Sequence, residues 1–394
     1  MKRILAGILK YHLFPITISL LLIYGLDTLG SKFLAEDGMP ETEVVSGVSK
    51  SERGMFNNCS KRQAQIELIG SLQDKYKLTI FGSSELQDLP YSCFFFLPDS
   101  IGIKTTAFGH AYHQNLSIAC ELLAAGDHLN GANVCVILSP GWFQSEGTNI
   151  EAFLEFVRPD FLRSIIHNES IPERDKLHIA QYVRDHFSDI SNPSKELTYL
   201  NDLSVYKKIP WFFRTFMLYS RSTVKNVRYD VVSDDQRFIK SKNTVDWNKT
   251  KLRLQQEFFK TCTNNHSFVD SSYYKQYLLV EGKQIEAPIE PVEIGNEFED
   301  FKLVVEILAR HKCKATFVLQ PLNPYVYSEL ENFNTVRLEI KKELSKYNFP
   351  LLDLFVTNTK EYTPGILKDV MHPSNRGWME MNEFLTKQYK HLYE

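Results

Sequence analysis

The sequence predicts an α/β fold, a three-layer sandwich built on a parallel sheet. Two observations carry this. Five short runs, Leu78–Phe81, Thr105–Phe108, Asn133–Leu138, Ala315–Leu319 and Leu351–Phe355, have the length and apolar, β-branched character of buried strands, and helical stretches alternate with them. Four of them run into turn-forming residues: Gly82-Ser83-Ser84, Gly109-His110, Ser139-Pro140-Gly141 and Gln320-Pro321-Leu322-Asn323. In a parallel sheet these turns share one edge, where α/β proteins place their sites.

The 394 residues suffice for one large domain with an insertion, or for two domains. Hydrophobic residues at 43% and aromatic residues at 13% favour a packed globule over disorder. A net charge of −3 gives no electrostatic case for a nucleic-acid partner.

Taken in order, Lys2, Arg3 and Lys10 precede an apolar run from Leu13 to Leu26, and counted from Ile8 to Leu29 the stretch reaches the roughly 20 residues needed to span a bilayer. The basic residues on its N-terminal side predict a cytoplasmic tip and an anchor over residues 1–34, with the remainder outside. A cleaved signal peptide is the alternative, but no Ala-x-Ala site follows promptly. The polar stretch 35–64 reads as a linker and 65–394 as an extracytoplasmic domain. A helix over 62–74 leads into the first strand, and Phe94–Leu97 is a buried strand or an apolar loop. A helix over 112–126 leads to the third strand. Residues 151–295 read as a helical insertion. Phe153, Phe156, Val157 and Phe161 share one helix face there, and Leu177, Ala180, Val183 and Phe187 another. The aromatic run 209–218 is a core helix or a surface touching lipid or a membrane partner. Helices over 296–311 and 328–346 flank the fourth strand.

The six cysteines include no Cys-x-x-Cys pair. Cys120, Cys135 and Cys313 read as core residues, and an exported domain leaves room for one disulfide among Cys59, Cys93 and Cys262, whose pairing the sequence does not fix. His110, His113 and the Asp127-His128 pair are metal-ligating types, but no third ligand stands at a convincing spacing, so no metal is expected.

Two stretches carry chemistry. In the first, Leu78–Phe81 ends at Gly82, and Leu86 and Leu89 at helical spacing predict a turn of helix after it. A serine at a strand-to-helix turn exposes its Oγ beside backbone N–H groups that can receive an oxyanion. The second is Lys368–Trp378. Asp369 and His372 are three apart, so in a loop or before a helix the carboxylate reaches the near imidazole nitrogen and leaves the far one for a serine. Asn323, on the same sheet edge, is a candidate substrate-positioning group; its other reading is a turn residue before proline.

A strand with Gly-x-Ser near the N-terminus and Asp-x-x-His near the C-terminus resembles the SGNH/GDSL hydrolase superfamily. The longer pattern, Gly82-Ser83-Ser84-Glu85, Leu138–Phe143 and Asp369-x-x-His372 with Gly377-Trp378, resembles the DltD family of D-alanyl transfer proteins. The resemblance implies Ser84 as nucleophile, His372 as general base and then acid, and Asp369 as the group that orients it. It implies Gly109 as a backbone donor to the oxyanion hole. The Ser139–Phe143 loop stands where the superfamily has a Gly-x-Asn-Asp block, and its missing asparagine implies a hole built from backbone N–H groups, including Ser84 and Gly141. Losing one donor costs roughly 3 kcal/mol of transition-state stabilisation. Trp142 either lines an acyl pocket or belongs to the core.

The function so implied is a membrane-anchored serine acyltransferase, free of cofactors, that works with a membrane-bound O-acyltransferase and a D-alanyl carrier protein to place D-alanine on teichoic acid. An esterase removing acyl groups from an envelope polysaccharide would use the same residues with water as acceptor. A non-catalytic partner of the O-acyltransferase is the third reading.

Overall fold

The structure is a computed structural model and describes residues 42–57, 61–144, 147–206, 226–233, 245–263 and 266–394. In chain order its main elements are β1 (Thr42–Val48), β2 (Arg53–Phe56), α1 (Arg62–Gln73), β3 (Lys77–Phe81), α2 (Cys93–Phe96), β4 (Lys104–Phe108), α3 (Asn115–Ala125) and β5 (Asn133–Leu138). Then come α4 (Ile150–Phe156), α5 (Pro159–His167), α6 (Glu173–Asp185), α7 (Lys195–Tyr206), β6 (Asn226–Val232) and α8 (Trp247–Thr261). The alternation resumes with α9 (Asn296–Arg310), β7 (Lys314–Leu319), α10 (Asn334–Ser345), β8 (Leu351–Asp353) and α11 (Asn375–Gln388).

Six strands form one sheet in the order β8-β7-β5-β3-β4-β2, and every neighbouring pair is parallel. Strand alternation sends Phe81, Phe108, Val136 and Phe317 to one face, where they pack with Leu68 and Leu72 of α1, Leu116 of α3 and Phe301 and Val304 of α9. Ile80, Ala107, Cys135 and Val318 face the other way, against Phe94 of α2 and Trp378, Met381 and Leu385 of α11. Helices therefore cover both faces, the arrangement parallel strands require when each is apolar throughout.

From β3 the chain moves to β4 on one side, and from β5 it moves on to β7 on the other. The switch point thus lies between β3 and β5, and the crevice it opens is at the carboxyl ends of these two strands. The pairing of Phe81 with Phe108 and Val136, and of Leu319 with Leu138, brings the loops after β3, β4, β5 and β7 to that edge.

The stretch 35–64 is not a plain linker. β2 forms the edge of the main sheet, pairing with β4, and β1 pairs with β6 in a second, two-stranded parallel sheet. Val45 is fully buried there with Val227, Tyr229 and Val231 close by in the same core. Both strands are short and polar-flanked, and their register comes from partners distant in sequence, so local pattern conceals them. Phe94–Leu97 is helical rather than extended: Phe95 and Phe96 N–H bond back to the Ser92 carbonyl, and α2 runs into a π turn over Leu97–Ile101. The face shared by Phe153, Phe156, Val157 and Phe161 spans two helices, because Pro159 disfavours helical backbone at Arg158.

The N-terminal run and residues 209–218 lie outside the described residues. Among the described residues no helix is long and apolar enough to cross a membrane. Cys93, Cys120 and Cys135 are fully buried and none of the described cysteines forms a disulfide; Cys59 lies outside them.

Candidate active site

β3 ends at Phe81, and the Gly82 N–H still donates to the Phe108 carbonyl at 3.2 Å, so the strand holds the chain up to the turn. The turn then closes with the Leu86 N–H on the Ser83 carbonyl at 3.1 Å. No helix follows it directly: Pro90 disfavours helical backbone at Leu89, and the next helix is α2. Ser83 and Ser84 diverge. Ser83 is 2% exposed and its Oγ donates back to the His110 carbonyl at 3.1 Å. Ser84 is half-buried, and its Oγ lies 2.9 Å from His372 Nε2.

His372 and Asp369 sit in the loop that precedes α11. The Asp369 Oδ1 accepts the Met371 and His372 N–H groups at 3.0 and 2.8 Å, which folds the loop around the carboxylate. His372 Nδ1 lies 3.0 and 2.9 Å from the two carboxylate oxygens. A carboxylate only accepts, so Nδ1 carries the hydrogen and Nε2 offers its lone pair to the Ser84 hydroxyl. Burial opposes ionisation of Asp369, but the His372 ring and the two N–H groups outweigh it and hold the carboxyl below its usual range.

The loop is fastened on several sides. Lys368 N–H donates to the His372 carbonyl at 3.0 Å, and Leu367 bridges Pro373. Ser374 caps α11, accepting from Arg376 and Gly377 N–H at 2.9 and 3.3 Å. A Cβ on Gly377 would stand 2.2 Å from the Ile366 carbonyl oxygen, so only glycine lets the helix approach this closely. A polar strut joins the two halves of the site: Gln87 Nε2 donates to the Ser84 carbonyl at 2.9 Å, and Lys368 Nζ donates to Gln87 Oε1. Val269, Leu278, Val326 and Val370 make an apolar wall with Tyr273 and Tyr327. Burial pushes the Tyr273 phenol up to about 12, with the Asp369 charge adding to it.

The other candidates are placed differently. The Gly109 N–H donates to the Phe56 carbonyl of β2 at 3.0 Å, so it is not available to an oxyanion; the strand that takes it lies in the stretch read as a linker. What glycine does there is steric, since a Cβ would lie 1.9 Å from the Gly82 carbonyl oxygen. Trp142 is 7% exposed within the main apolar cluster, a core position. Asn323 is fully buried and its amide is consumed: Nδ2 donates to the Ser267 carbonyl at 2.8 Å and Oδ1 accepts the Tyr325 N–H at 2.9 Å. Its own N–H donates to the Val370 carbonyl at 3.0 Å, so Asn323 supports the Asp369 loop and does not meet a substrate. Gly141 is exposed in the 3-10 turn Pro140–Gln144 at the end of β5. The Ser84 N–H has no acceptor among the described residues and remains a candidate oxyanion donor.

Glu85 and Gln320 escaped sequence reasoning. Glu85 is 1% exposed, its Oε1 accepts the Ser83 N–H at 2.6 Å, and its Oε2 lies 3.4 Å from Gln320 Nε2. Burial pushes its carboxyl above the usual range, against the pull of the Ser83 N–H. The only signal was an acidic residue directly after the serine pair, and its partner stands 235 positions away. Among the described residues no group of three or more His, Cys, Asp or Glu could hold a metal. His110 meets Glu155, His113 meets the Gly82 carbonyl, and His128 meets the Tyr229 carbonyl.

A hydroxyl, an imidazole and a carboxylate in hydrogen-bonded sequence at a switch-point crevice can carry out nucleophilic acyl chemistry. Comparison with known proteins bears on which kind. The family model described as "DltD protein" matches residues 57–390. The chain is similar to Protein DltD of Bacillus subtilis (strain 168), 23% identical over 399 residues, with 95% of this chain and 96% of that one covered. It is also similar to Protein DltD of Staphylococcus aureus (strain NCTC 8325 / PS 47), 22% identical over 321 residues, with 79% and 80% covered. A family match that begins directly after β2, runs through α11 and takes in both the serine turn and the histidine loop places the chain in the DltD family.

Proposed function

We propose that this protein is a membrane-anchored, extracytoplasmic serine acyltransferase acting in the D-alanylation of teichoic acid or a related envelope polymer. The observation that carries the reading is the chain from Ser84 Oγ through the His372 ring to the Asp369 carboxylate, at 2.9, 2.9 and 3.0 Å. In the reaction, Ser84 Oγ attacks the acyl carbonyl and His372 Nε2 takes its proton. The bond to the donor group breaks, and that group leaves with the proton His372 holds. An acceptor hydroxyl then gives its proton to His372, attacks the acyl-enzyme and releases Ser84. Asp369 keeps the imidazole in the required tautomer and offsets its transient charge. The Ser84 N–H, with Gly141 as a second donor, would receive the oxyanion. The partners would be a membrane-bound O-acyltransferase, a D-alanyl carrier protein and a polyol or glycan hydroxyl.

Incubation with a labelled D-alanyl thioester, followed by mass spectrometry of the Ser84 peptide, tests the reading. An acyl adduct on the wild type that is absent from Ser84→Ala supports it. No adduct, together with full complementation by Ser84→Ala in cells, would leave a non-catalytic partner of the O-acyltransferase. The half-buried position of Ser84 also admits water. An adduct that is released only as free acid, with or without polymer present, would instead favour an esterase.

A further inference from the structure

The peptide between Gly82 and Ser83 is gripped at both ends by buried side chains that the acyl-transfer chemistry does not use. Its carbonyl meets His113 Nδ1 at 3.0 Å, and its N–H donates to Glu85 Oε1 at 2.6 Å. His113 is 0% and Glu85 1% exposed, so neither reaches a substrate. A carbonyl only accepts, so His113 donates from Nδ1. The ring cannot turn away. Its Nε2 is 3.2 Å from the fully buried Glu121 carboxylate, and Phe156 stacks on it with centroids 4.2 Å apart. The path between ring and carbonyl stays open because position 109 is glycine; a Cβ there would stand 1.9 Å from the Gly82 oxygen and 2.5 Å from His113 Nδ1.

Burying a titratable side chain on each side of one peptide is costly unless each is paired, and here the hydrogen bonds of His113 and Glu85 converge on the plane from which the serine turn departs. Glycine at 82 leaves that plane intrinsically free to rotate. Rotation would swing Ser83 Cα, and with it the direction of the Ser84 N–H and Oγ. We propose that His113 and Glu85 are positioning residues that clamp the Gly82–Ser83 peptide from opposite sides and thereby aim Ser84 at His372. The inference rests on Ser84 being the nucleophile, and it adds a reason why the turn works without a helix directly behind it.

The test compares the wild type with His113→Phe, His113→Asn, Glu85→Leu and Glu85→Gln. Phenylalanine keeps the stack on Phe156 and lacks the donor, whereas asparagine restores a donor at the same reach. Leucine lacks the acceptor. Glutamine restores it, and its amide can donate to Gln320 Oε1, which has no partner among the described residues. Two readouts are taken on the full chain: inactivation by a fluorophosphonate, resolved into kinact and KI, and amide hydrogen exchange of the peptide spanning Gly82–Leu86. His113→Phe and Glu85→Leu should lower kinact by about 10²-fold, the scale of a small misplacement of a reacting group. KI should hold, exchange in that peptide should rise, and the asparagine and glutamine variants should recover most of both. Folded apolar variants with wild-type kinact and exchange would overturn the clamp. So would a glutamine or asparagine variant as impaired as its apolar counterpart. If one apolar variant does not fold, the pair at the other residue decides by the same criteria. A wild type that is never labelled at Ser84 sinks the serine reading and the aiming role with it, while the exchange comparison still decides whether His113 and Glu85 clamp the peptide.

Discussion

At the scale of single residues, the two serines and the aspartate make separable claims. Ser84→Ala should abolish covalent labelling by a fluorophosphonate, and Ser83→Ala should retain at least part of it, because the Ser83 hydroxyl is spent on the His110 carbonyl. Labelling that survives in Ser84→Ala and disappears in Ser83→Ala would reverse the assignment. Asp369→Asn should lower turnover by up to about 10⁴-fold, since an amide favours the wrong imidazole tautomer. Its effect on stability has a defined pH dependence. The Asp369 carboxyl is held below its usual range in the folded protein, so its contribution is present above the unfolded value of about 3.9 and fades as pH falls through the lowered folded value. The stability gap between wild type and Asp369→Asn, measured by urea melts at pH 7 and pH 3, should therefore narrow at the lower pH; a gap that widens would contradict the assignment. That Ser84, His372 and Asp369 meet was legible in the sequence because each lies in a short motif whose spacing suits that contact. Glu85 and His113 were not, because what gives them a role is a contact made only when β3, β4 and β7 lie side by side.

At the scale of elements, the site depends on how closely α11 approaches the loop before it. Ser374 caps the helix two residues after His372, so a shift of the helix start moves the imidazole. Gly377→Ala would force a Cβ to within 2.2 Å of the Ile366 carbonyl and 3.3 Å of the Pro373 ring, and backbone cannot yield as a flexible side chain does. The expected cost is about 1–3 kcal/mol, seen as a lowered melting temperature together with slower labelling at Ser84. Gly295→Ala, at the N-cap of α9 with nothing within 4 Å, is the control: it should leave labelling unchanged and cost only the N-cap preference of glycine over alanine. Unchanged labelling in a destabilised Gly377→Ala protein would mean that the loop holds His372 without the helix. The sequence revealed the helices α1, α3, α9 and α10 and five central strands through apolar runs and periodicity. It concealed β2, whose four residues are at best half-buried, and with it the acceptor of the Gly109 N–H: Phe56 lies in the stretch read as a linker, so the role the resemblance implied for Gly109 met no visible objection.

At the scale of the whole molecule, the parallel sheet converts distant sequence into one edge. The serine turn and the histidine loop are 288 positions apart and meet because β3 lies at the switch point and the chain returns past the far side of the sheet before α11. The same architecture sharpens what the N-terminal run would do. β1 is part of the folded body, with Val45 fully buried, so the stretch between residue 34 and Thr42 is all that separates a membrane anchor from the domain. Seven residues, 35–41, span at most roughly 25 Å when fully extended. An anchor over residues 1–34 would therefore hold the domain against the bilayer surface, within reach of an acyl donor delivered there and of polymer chains rooted in the membrane. Two outcomes follow from this proposal. Protease added to intact protoplasts should digest the domain, and full protection would place it on the cytoplasmic side. Inserting a flexible segment of about 20 residues after residue 38 would raise the r.m.s. span by roughly 25 Å on its own. It should leave fluorophosphonate labelling at Ser84 unchanged while lowering acyl transfer to polymer in cells. Transfer that is indifferent to the insertion would show that closeness to the membrane is not what the short tether supplies.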